Sequence, residues 1–321
     1  MASIFQKKNA TITSMHVRQM VLSAMFLAIA LVIRTLFRMY IPLFGESGIR
    51  ISVHQIFSFM PAILFGPVYG AIVAGLTDFL GHHLSPTGAY IPHLTATAIF
   101  GGFARGGLWM ILKNKSNFMA RSVVIILGII FLSAGAINMM TLSNDGLNQD
   151  FYNPYITGTS INEAGVTVIE IDRDRIDVNN FSIIGRMAII RSQNANNPPN
   201  VLREFINLVT FTMMGTGVFG LLLVGIDWLV GLFIIKDAHG IATMPLLLAL
   251  VIPSAVVNTL NTEILRQTAM PSWQLLPFSV IWLPRVIQAI ATTTLVTYFI
   301  AVLLGVLRQQ PGFRDYFKQT D

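Results

Sequence analysis

Runs of mostly apolar residues recur along this chain, separated by short polar segments, and this pattern constrains the fold most. A helix that crosses a bilayer needs roughly 20 mostly apolar residues. Of the 321 residues, 54% are hydrophobic and 11% are charged, whereas soluble domains carry about 25% charged residues. A soluble core could not bury so much apolar surface. The sequence therefore predicts an all-α integral membrane protein.

Eight membrane helices are predicted, with Gly66-Pro67 as the break between the second and the third. They cover Arg18–Tyr40, Ile51–Phe65, Val68–Leu84, His93–Leu112, Arg121–Met140, Phe205–Ile235, Ala242–Leu260 and Phe278–Leu307. No small-residue cleavage site follows the first apolar run, which predicts an uncleaved helix rather than a signal peptide. Between the fifth and sixth spans, residues 141–204 are polar, and the alternation in 165–172 predicts a strand there. This segment is predicted to be a small subdomain outside the membrane that contains β structure.

The positions of the basic residues predict the orientation. With eight spans both termini lie on one side, which then also carries most loop cations, as a cytoplasmic side does. These cations are Lys7, Lys8, Arg18, Lys113, Lys115, Arg121, Lys236, Arg308, Arg314 and Lys318. We expect a multi-pass protein of the bacterial plasma membrane with cytoplasmic termini and an extracellular polar subdomain. The net charge of +6 is scattered, which argues against a nucleic-acid partner.

The motifs of several enzyme classes are absent. The chain has no cysteine, which excludes disulfides, thiol catalysis and cysteine metal sites. It also lacks a GxxxxGK[ST] loop, an HExxH motif and a GxSxG elbow. His82, His83 and His93 could suggest a metal site, but without a nearby carboxylate or thiolate a polar loop is favoured. Residues 171–177 alternate acids and bases; a solvated strand face is favoured there over a calcium loop. We predict no enzyme, bound metal or cofactor.

Charged residues within membrane helices are costly and often functional. Arg34, Arg38, Arg50 and Arg285 all fall near the predicted outer ends of helices, where they could receive an anionic ligand. Snorkelling to lipid headgroups is the alternative. Asp78 and Arg105 are also predicted to be buried, but their depths differ by roughly 8 Å, which leaves a direct pair open. Asp78 suits either a hydrogen bond between helices or a ligand contact.

Small residues four positions apart let membrane helices approach closely. Such pairs pack helices within this subunit or dock another protein. They are Ala24 with Ala28, Gly66 with Gly70, Ala71 with Gly75, and Gly102 with Gly106.

Several short stretches occur in a recognisable order. They are Arg50-Ile51-Ser52-Val53, Leu64-Phe65-Gly66-Pro67-Val68-Tyr69-Gly70, Asp78-Phe79-Leu80-Gly81, Pro86-Thr87-Gly88-Ala89-Tyr90-Ile91-Pro92, Asn258-Thr259-Leu260 and Leu283-Pro284-Arg285. This series resembles the S components of energy-coupling factor (ECF) transporters, most closely the folate type. The resemblance covers residues 18–113 and 240–307, the six-helix core of the family. The chain departs from folate-type members at Pro92-His93-Leu94-Thr95, where they usually have Pro-Gly-Phe-Thr.

The resemblance implies a division of the chain. Core helices 1–4 occupy 18–113 and core helices 5–6 occupy 240–307. An insertion at 114–239 holds two further membrane helices around the extracellular subdomain 141–204. Cytoplasmic segments, 1–17 and 308–321, complete the chain.

The resemblance also implies a function. An S component binds a vitamin, here folate, near its outer face, then topples in the membrane and releases it into the cytoplasm. A transmembrane coupling subunit and two ATPase subunits supply the work, so ATP is used by the partners. In the family a small-residue pair on helix one contacts the coupling subunit, and Ala24 and Ala28 occupy that place here.

The pocket implied by the resemblance combines cations, an aromatic ring and an amide. Its residues are Arg50, Thr87, Gly88, Tyr90, His93, Asn258 and Arg285, with Arg34 and Arg38 as additions. The arginines would pair with a carboxylate, Tyr90 would stack on a flat ring, and Asn258 would donate to and accept from a heterocycle. One alternative is an S component for another vitamin or an anionic metabolite. A membrane sensor or scaffold acting through its extracellular insert is the second alternative, and an intramembrane enzyme is the third.

Overall fold

The chain divides into two compact units in a computed structural model. It describes residues 2–36, 39–43, 46–51, 53–86, 88–148, 150–161, 167–193, 195–233, 242–270, 273 and 278–310. Unit 1 consists of Met1–Ala120 and Val230–Asp321, and unit 2 is Arg121–Leu229.

Helices dominate both units, and two short hairpins accompany them. The helices are α1 (Ala2–Leu36), α2 (Gln55–Phe65), α3 (Pro67–Leu84), α4 (Pro92–Leu112), α5 (Asn117–Asn144), α6 (Ile183–Gln193), α7 (Pro198–Asn207), α8 (Met213–Phe233), α9 (Thr243–Thr268) and α10 (Phe278–Gln309). The antiparallel hairpins are β1 (Met39–Leu43) with β2 (Glu46–Ile51), and β3 (Ile156–Ile161) with β4 (Thr167–Ile171). A π-helical segment, Leu208–Thr212, joins α7 to α8.

The prediction of an all-α membrane protein is confirmed. Within the described residues, five helical segments are long and apolar enough to cross a membrane: His16–Leu36, Asn117–Asn144, Pro198–Val230, Thr243–Thr268 and Ile281–Gln309. Each of the eight predicted spans overlaps a helix, but α2, α3 and α4 fall outside this group of five. Helix α2 has only 11 residues, and its residues from Ser58 to Leu64 are all buried. Protein rather than lipid therefore surrounds most of α2.

The predicted ends of the first two spans are wrong. The first span was expected to continue to Tyr40, yet α1 ends at Leu36 and Tyr40 lies in β1. The second was expected to start at Ile51, which instead ends β2, and α2 begins only at Gln55. Pro42 explains part of the difference, because proline disfavours helix both at its own position and at the residue before it.

The core of unit 1 lies where α2, α9 and α10 meet. Its buried residues are Phe59, Met60, Ile63, Leu64, Leu246, Leu250, Val296, Ile300, Ala301 and Leu304. Gly66 has φ +92° in the turn from α2 to α3, a conformation that favours glycine, and the predicted helix break at Gly66-Pro67 is confirmed. Gly70 and Gly102 bring the backbones of α3 and α4 together, because a Cβ added at Gly102 would overlap the carbonyl oxygen of Gly70.

Unit 2 contains a second, separate core that includes the last turns of α5 and part of α7. Its buried residues are Leu142, Leu147, Tyr152, Ile176, Ala188, Ile189 and Leu202. The Tyr152 hydroxyl hydrogen-bonds to Ser192 Oγ over 2.6 Å. Burial raises the pKa of the Tyr152 phenol, and the hydrogen bond to Ser192 acts in the opposite direction.

The predicted strand near residues 165–172 is confirmed as β4, which pairs with β3. The prediction of a strand face over 171–177 is wrong, because β4 ends at Ile171. Asp177 instead caps the short 3-10 turn Val178–Asn180, where its carboxylate accepts from the Asn179 amide over 3.0 Å. The fifth span is also longer than expected, since α5 continues from Met140 to Asn144.

A buried ion pair joins α5 to α8 within unit 2. Arg121 donates to Asp227, whose side chain is fully buried, over 2.7 Å. Further along the same two helices, a Cβ added at Gly217 would lie 2.6 Å from the carbonyl oxygen of Gly128. The two helices therefore pack closely against each other.

Candidate ligand-binding site

Hydrogen bonds connect five helix ends at one end of unit 1. The C-terminal parts of α1, α3 and α9 meet the N-terminal parts of α4 and α10 there. Arg34 links α1 to α3, Asp78 links α3 to α4, and Thr97 links α4 to Asn261 of α9. Thr262 then links α9 to α10 through Arg285. Several residues predicted to bind a ligand are thereby brought to one end of the unit.

Asp78 lies at the centre of the first group. Its carboxylate accepts from Arg34 over 3.2 Å and from the Thr95 hydroxyl over 2.8 Å. Arg34 also donates to the carbonyl oxygen of Thr77 over 2.6 Å, and its residue is 9% exposed. Thr95 in turn hydrogen-bonds to the Tyr90 hydroxyl over 2.9 Å. Of the two interpretations of Asp78, the hydrogen bond between helices is therefore the one observed.

An aromatic group surrounds Tyr90. The Tyr90 ring centroid lies 5.7 Å from Phe79, 5.3 Å from His82 and 5.4 Å from His83. His83 Nδ1 is also 2.8 Å from the carbonyl oxygen of Phe79. Tilted ring contacts with Tyr90 thus involve two of the three histidines that could have suggested a metal site.

The second group lies between α9 and α10 and includes Asn258 and Arg285. Arg285 Nε donates to Thr262 Oγ1 over 3.0 Å, and Thr262 donates to the carbonyl oxygen of Asn258 over 2.7 Å. The Arg285 guanidinium lies 5.2 Å from the centroid of the Trp273 ring, within the range of a cation–π contact. Trp273 is fully buried. Arg285 is therefore held in place on two sides.

Asn258 carries a buried donor whose partner is missing from the described part of the chain. Its Nδ2 atom is buried and makes no hydrogen bond to any described residue. Leaving a buried donor unsatisfied costs about 1–3 kcal/mol. Such groups in native proteins call for an explanation such as a ligand or a water molecule.

Arg105 is buried deeper in unit 1 and does not pair with Asp78. Its Nη2 donates to Ser254 Oγ over 3.3 Å, and its guanidinium lies 3.9 Å from the centre of the Phe59 ring. The residue is 7% exposed. The open question of an Asp78–Arg105 pair is thus answered: each residue has other partners.

The remaining predicted pocket residues give less information. Gly88 has φ +149° and is exposed, and His93 is exposed in the first turn of α4. For Arg50 only the backbone is described, and it pairs with Tyr40 in the β1–β2 hairpin. Arg38 and Thr87 lie outside the described residues. The roles of these residues in binding stay predictions.

Sequence reasoning missed residues that the site uses. Thr262 and Asn261 had a detectable signal, because polar residues in an apolar helix usually face protein or a ligand. No sequence signal pointed to Trp273, because it follows the end of α9 and its burial depends on the tertiary fold. The same holds for the bond between Trp282 Nε1 and Thr259 Oγ1, at 2.8 Å.

Residues 18–163 match the model of a protein family described as "ECF transporter, substrate-specific component". This region, a little under half of the chain, is thus similar to the ECF substrate-specific components. The match includes α1 to α5 and strand β3. No curated protein and no solved structure matches the chain.

The similarity supports the general role predicted for the chain. The matched family consists of substrate-binding subunits of multi-pass membrane transporters, and it implies partnership with an ECF module of coupling and ATPase subunits. The folate subtype and the boundaries of the insertion at 114–239 stay predictions.

Proposed function

We propose that this ECF substrate-specific component captures folate for an ATP-driven importer. The observation that carries the proposal is the arrangement of Asn258 and Arg285 around Thr262. Thr262 lies one turn after Asn258 on α9, accepts from Arg285 and donates to the Asn258 carbonyl oxygen. The Asn258 side-chain amide is buried and has no partner among the described residues. A ligand with both an anionic group and a hydrogen-bonding ring edge would satisfy both groups.

Folate has the chemistry that this arrangement needs. Its glutamate carboxylates suit a guanidinium, which forms short, charge-assisted hydrogen bonds to carboxylates. Its flat heterocycle offers acceptors to an amide such as that of Asn258. Tyr90 presents an aromatic face on the neighbouring elements, and its hydroxyl is already fixed by Thr95. The ring of Tyr90 is therefore pre-oriented for stacking.

Exposure on α1 supports a docking role for Ala24 and Ala28. Both alanines are exposed in unit 1, whereas Gly70, Gly102 and Gly106 are buried in packed contacts. A small-residue pair that is not used within the chain leaves room for the helix of another subunit. We assign this pair to the coupling subunit, with the ligand entering from the extracellular side.

Identification of the co-purifying ligand tests the proposal directly. The full chain would be purified in mild detergent, and the bound compound would be released and identified by mass spectrometry. Folate or a reduced folate is the expected compound. Detection of another vitamin would keep the transport role and change the proposed substrate. If the purified protein bound no vitamin and associated with no ATPase module, the proposal would be wrong.

Tryptophan fluorescence gives a second readout in the same preparation. Trp273 and Trp282 lie beside the proposed pocket, so folate should quench their emission on binding. Trp273 supports Arg285, so its removal would disturb the site, and Trp228→Phe in unit 2 is the better control. That variant should retain the folate-dependent quenching, and its complete loss there would contradict the placement of the ligand.

A further inference from the structure

Helix α6 in unit 2 buries one face against the protein and exposes an apolar stripe on the other. Its buried residues are Gly185, Ala188, Ile189 and Ser192. On the opposite face, Ile183 is 78% exposed, Met187 60% and Ile190 48%. At about 100° per residue these three positions fall within a sector of about 60°. An exposed stripe of large apolar residues in a polar segment indicates a contact surface.

Two arginines flank this stripe. On a helical wheel, Arg186 lies about 40° to one side of the apolar sector and Arg191 about 40° to the other. Arg191 is exposed. Arg186 is half-buried, and its Nη2 donates to the carbonyl oxygen of Asn179 over 3.5 Å. An apolar stripe bordered by cations is the pattern of a helix that lies in a membrane interface.

Hydrogen bonds fix the beginning of α6 to the end of membrane helix α5. Asp145, one residue beyond α5, accepts from the Ser182 amide over 3.1 Å, and its carboxylate also contacts the Ser182 hydroxyl. The apolar run of α5 ends at Met140 and is followed by polar residues at 141, 143 and 144. The N-terminus of α6 therefore starts at the level where α5 leaves the membrane.

The middle of α6 packs against α5 and α7. Ala188 and Ile189 of α6 share the core of unit 2 with Leu142 of α5 and Leu202 of α7. Leu202 lies three residues, or about 4.5 Å of helix, before Phe205, where the predicted span begins. The start and the middle of α6 are thus tied to residues near the ends of the membrane spans.

We propose that α6 lies on the bilayer surface, with Ile183, Met187 and Ile190 inserted among the lipid headgroups and acyl chains. Arg186 and Arg191 then lie at the level of the phosphates. Near the end of α5, to which α6 is tied, Ile137 and Met140 are also exposed apolar residues. The proposal depends on α5 and α8 crossing the membrane and is independent of the transported ligand.

The absence of cysteine from the sequence makes a labelling experiment straightforward. A spin label on Met187→Cys would be compared, in the full chain in lipid nanodiscs, with labels on Ile130→Cys and Asn179→Cys. Ile130 is an exposed residue in the middle of α5, and Asn179 is an exposed polar position in unit 2. Power-saturation EPR would measure collisions with oxygen, which enters lipid, and with a water-soluble nickel complex.

We expect the Met187→Cys label to resemble the lipid-facing control, with high oxygen and low nickel accessibility. The Asn179→Cys label should show the reverse. Nickel accessibility at Met187→Cys equal to that at Asn179→Cys would place the stripe in water and overturn the proposal. Low accessibility to both reagents would place the stripe against protein, either another part of this chain or a partner, and would overturn it equally.

Discussion

The guanidinium of Arg34 on α1 donates to the carboxylate of Asp78 on α3 over 3.2 Å. Arg34 is 9% exposed and its second contact is the carbonyl oxygen of Thr77. The same carboxylate holds Thr95 of α4. A single carboxylate therefore joins three helices at the end of unit 1 where the candidate ligand-binding residues lie.

Breaking this ion pair should destabilise unit 1. Removing one partner of a fully buried pair costs about 3–5 kcal/mol, and the cost here should be smaller because the Asp78 side chain is partly exposed. We expect Asp78→Ala to lower the melting midpoint by roughly 5 °C or more, measured by size-exclusion chromatography after heating. Arg34→Gln should also lower the melting midpoint. The decrease in the double variant should be smaller than the sum of the decreases in the two single variants. Additive losses would show that the two residues are not coupled.

The close approach of α3 and α4 predicts different effects for two glycines of one helix. A Cβ at Gly102 would overlap the Gly70 backbone, whereas a Cβ at Gly107 meets nothing within 4 Å. Gly102→Ala should therefore cost about 1–3 kcal/mol through overpacking and lower the melting midpoint. Gly107→Ala should leave it unchanged or raise it slightly, because alanine favours helix. Equal melting midpoints would contradict the observed packing.

Asn258 should respond differently in stability and in binding. Replacing a buried donor that lacks a protein partner by an apolar group removes a desolvation penalty of about 1–3 kcal/mol. Asn258→Leu should therefore raise the melting midpoint of the ligand-free protein while weakening folate binding by about tenfold or more. Asn261→Leu is a contrasting variant, because it loses the hydrogen bond to Thr97 and should be less stable. Unchanged affinity in Asn258→Leu would remove this residue from the pocket.

Arg285 should contribute affinity through its charge and its geometry. We expect Arg285→Ala to weaken folate binding by roughly 2–5 kcal/mol, measured by isothermal titration calorimetry. Arg285→Lys keeps the charge but loses the planar donor geometry. Its affinity for folate should therefore fall between that of the unchanged protein and that of Arg285→Ala. Arg203→Ala, at an exposed position of α7, is the matched loss of one cation. An equal effect there would mean that Arg285 acts only through the net charge.

The sequence predicts the membrane helices better than it predicts their ends. Runs of apolar residues place α5 and α8–α10 because lipid demands a continuous apolar segment. The β1–β2 pair is different, since its formation depends on pairing between residues such as Tyr40 and Arg50, and short apolar stretches fit either a helix or a strand.

The candidate site was predictable in part for a similar reason. Charged and amide residues inside apolar helices, such as Arg285 and Asn258, stand out in the sequence. Their partners do not, because the contact of Arg285 with Trp273 and that of Arg34 with Asp78 require the packed tertiary structure. Arg34 illustrates the consequence: it was predicted among the pocket residues, and its observed partners belong to the protein.

The exposed alanines of α1 allow binding and transport to be separated. Ala24 and Ala28 are exposed in unit 1 and are proposed to dock the coupling subunit. A leucine at either position adds bulk where another helix must approach closely. We expect Ala24→Leu and Ala28→Leu to retain folate affinity but to lose uptake into cells or proteoliposomes that contain the ECF module.

The control for this prediction is the same exchange elsewhere on unit 1. Ala291 on α10 is also exposed, and Ala291→Leu should retain both binding and uptake. Co-purification of each variant with the ECF module separates a docking defect from a folding defect. Loss of folate binding with intact assembly in Ala24→Leu would reverse the proposed roles, because α1 would then act on the ligand rather than on the partner.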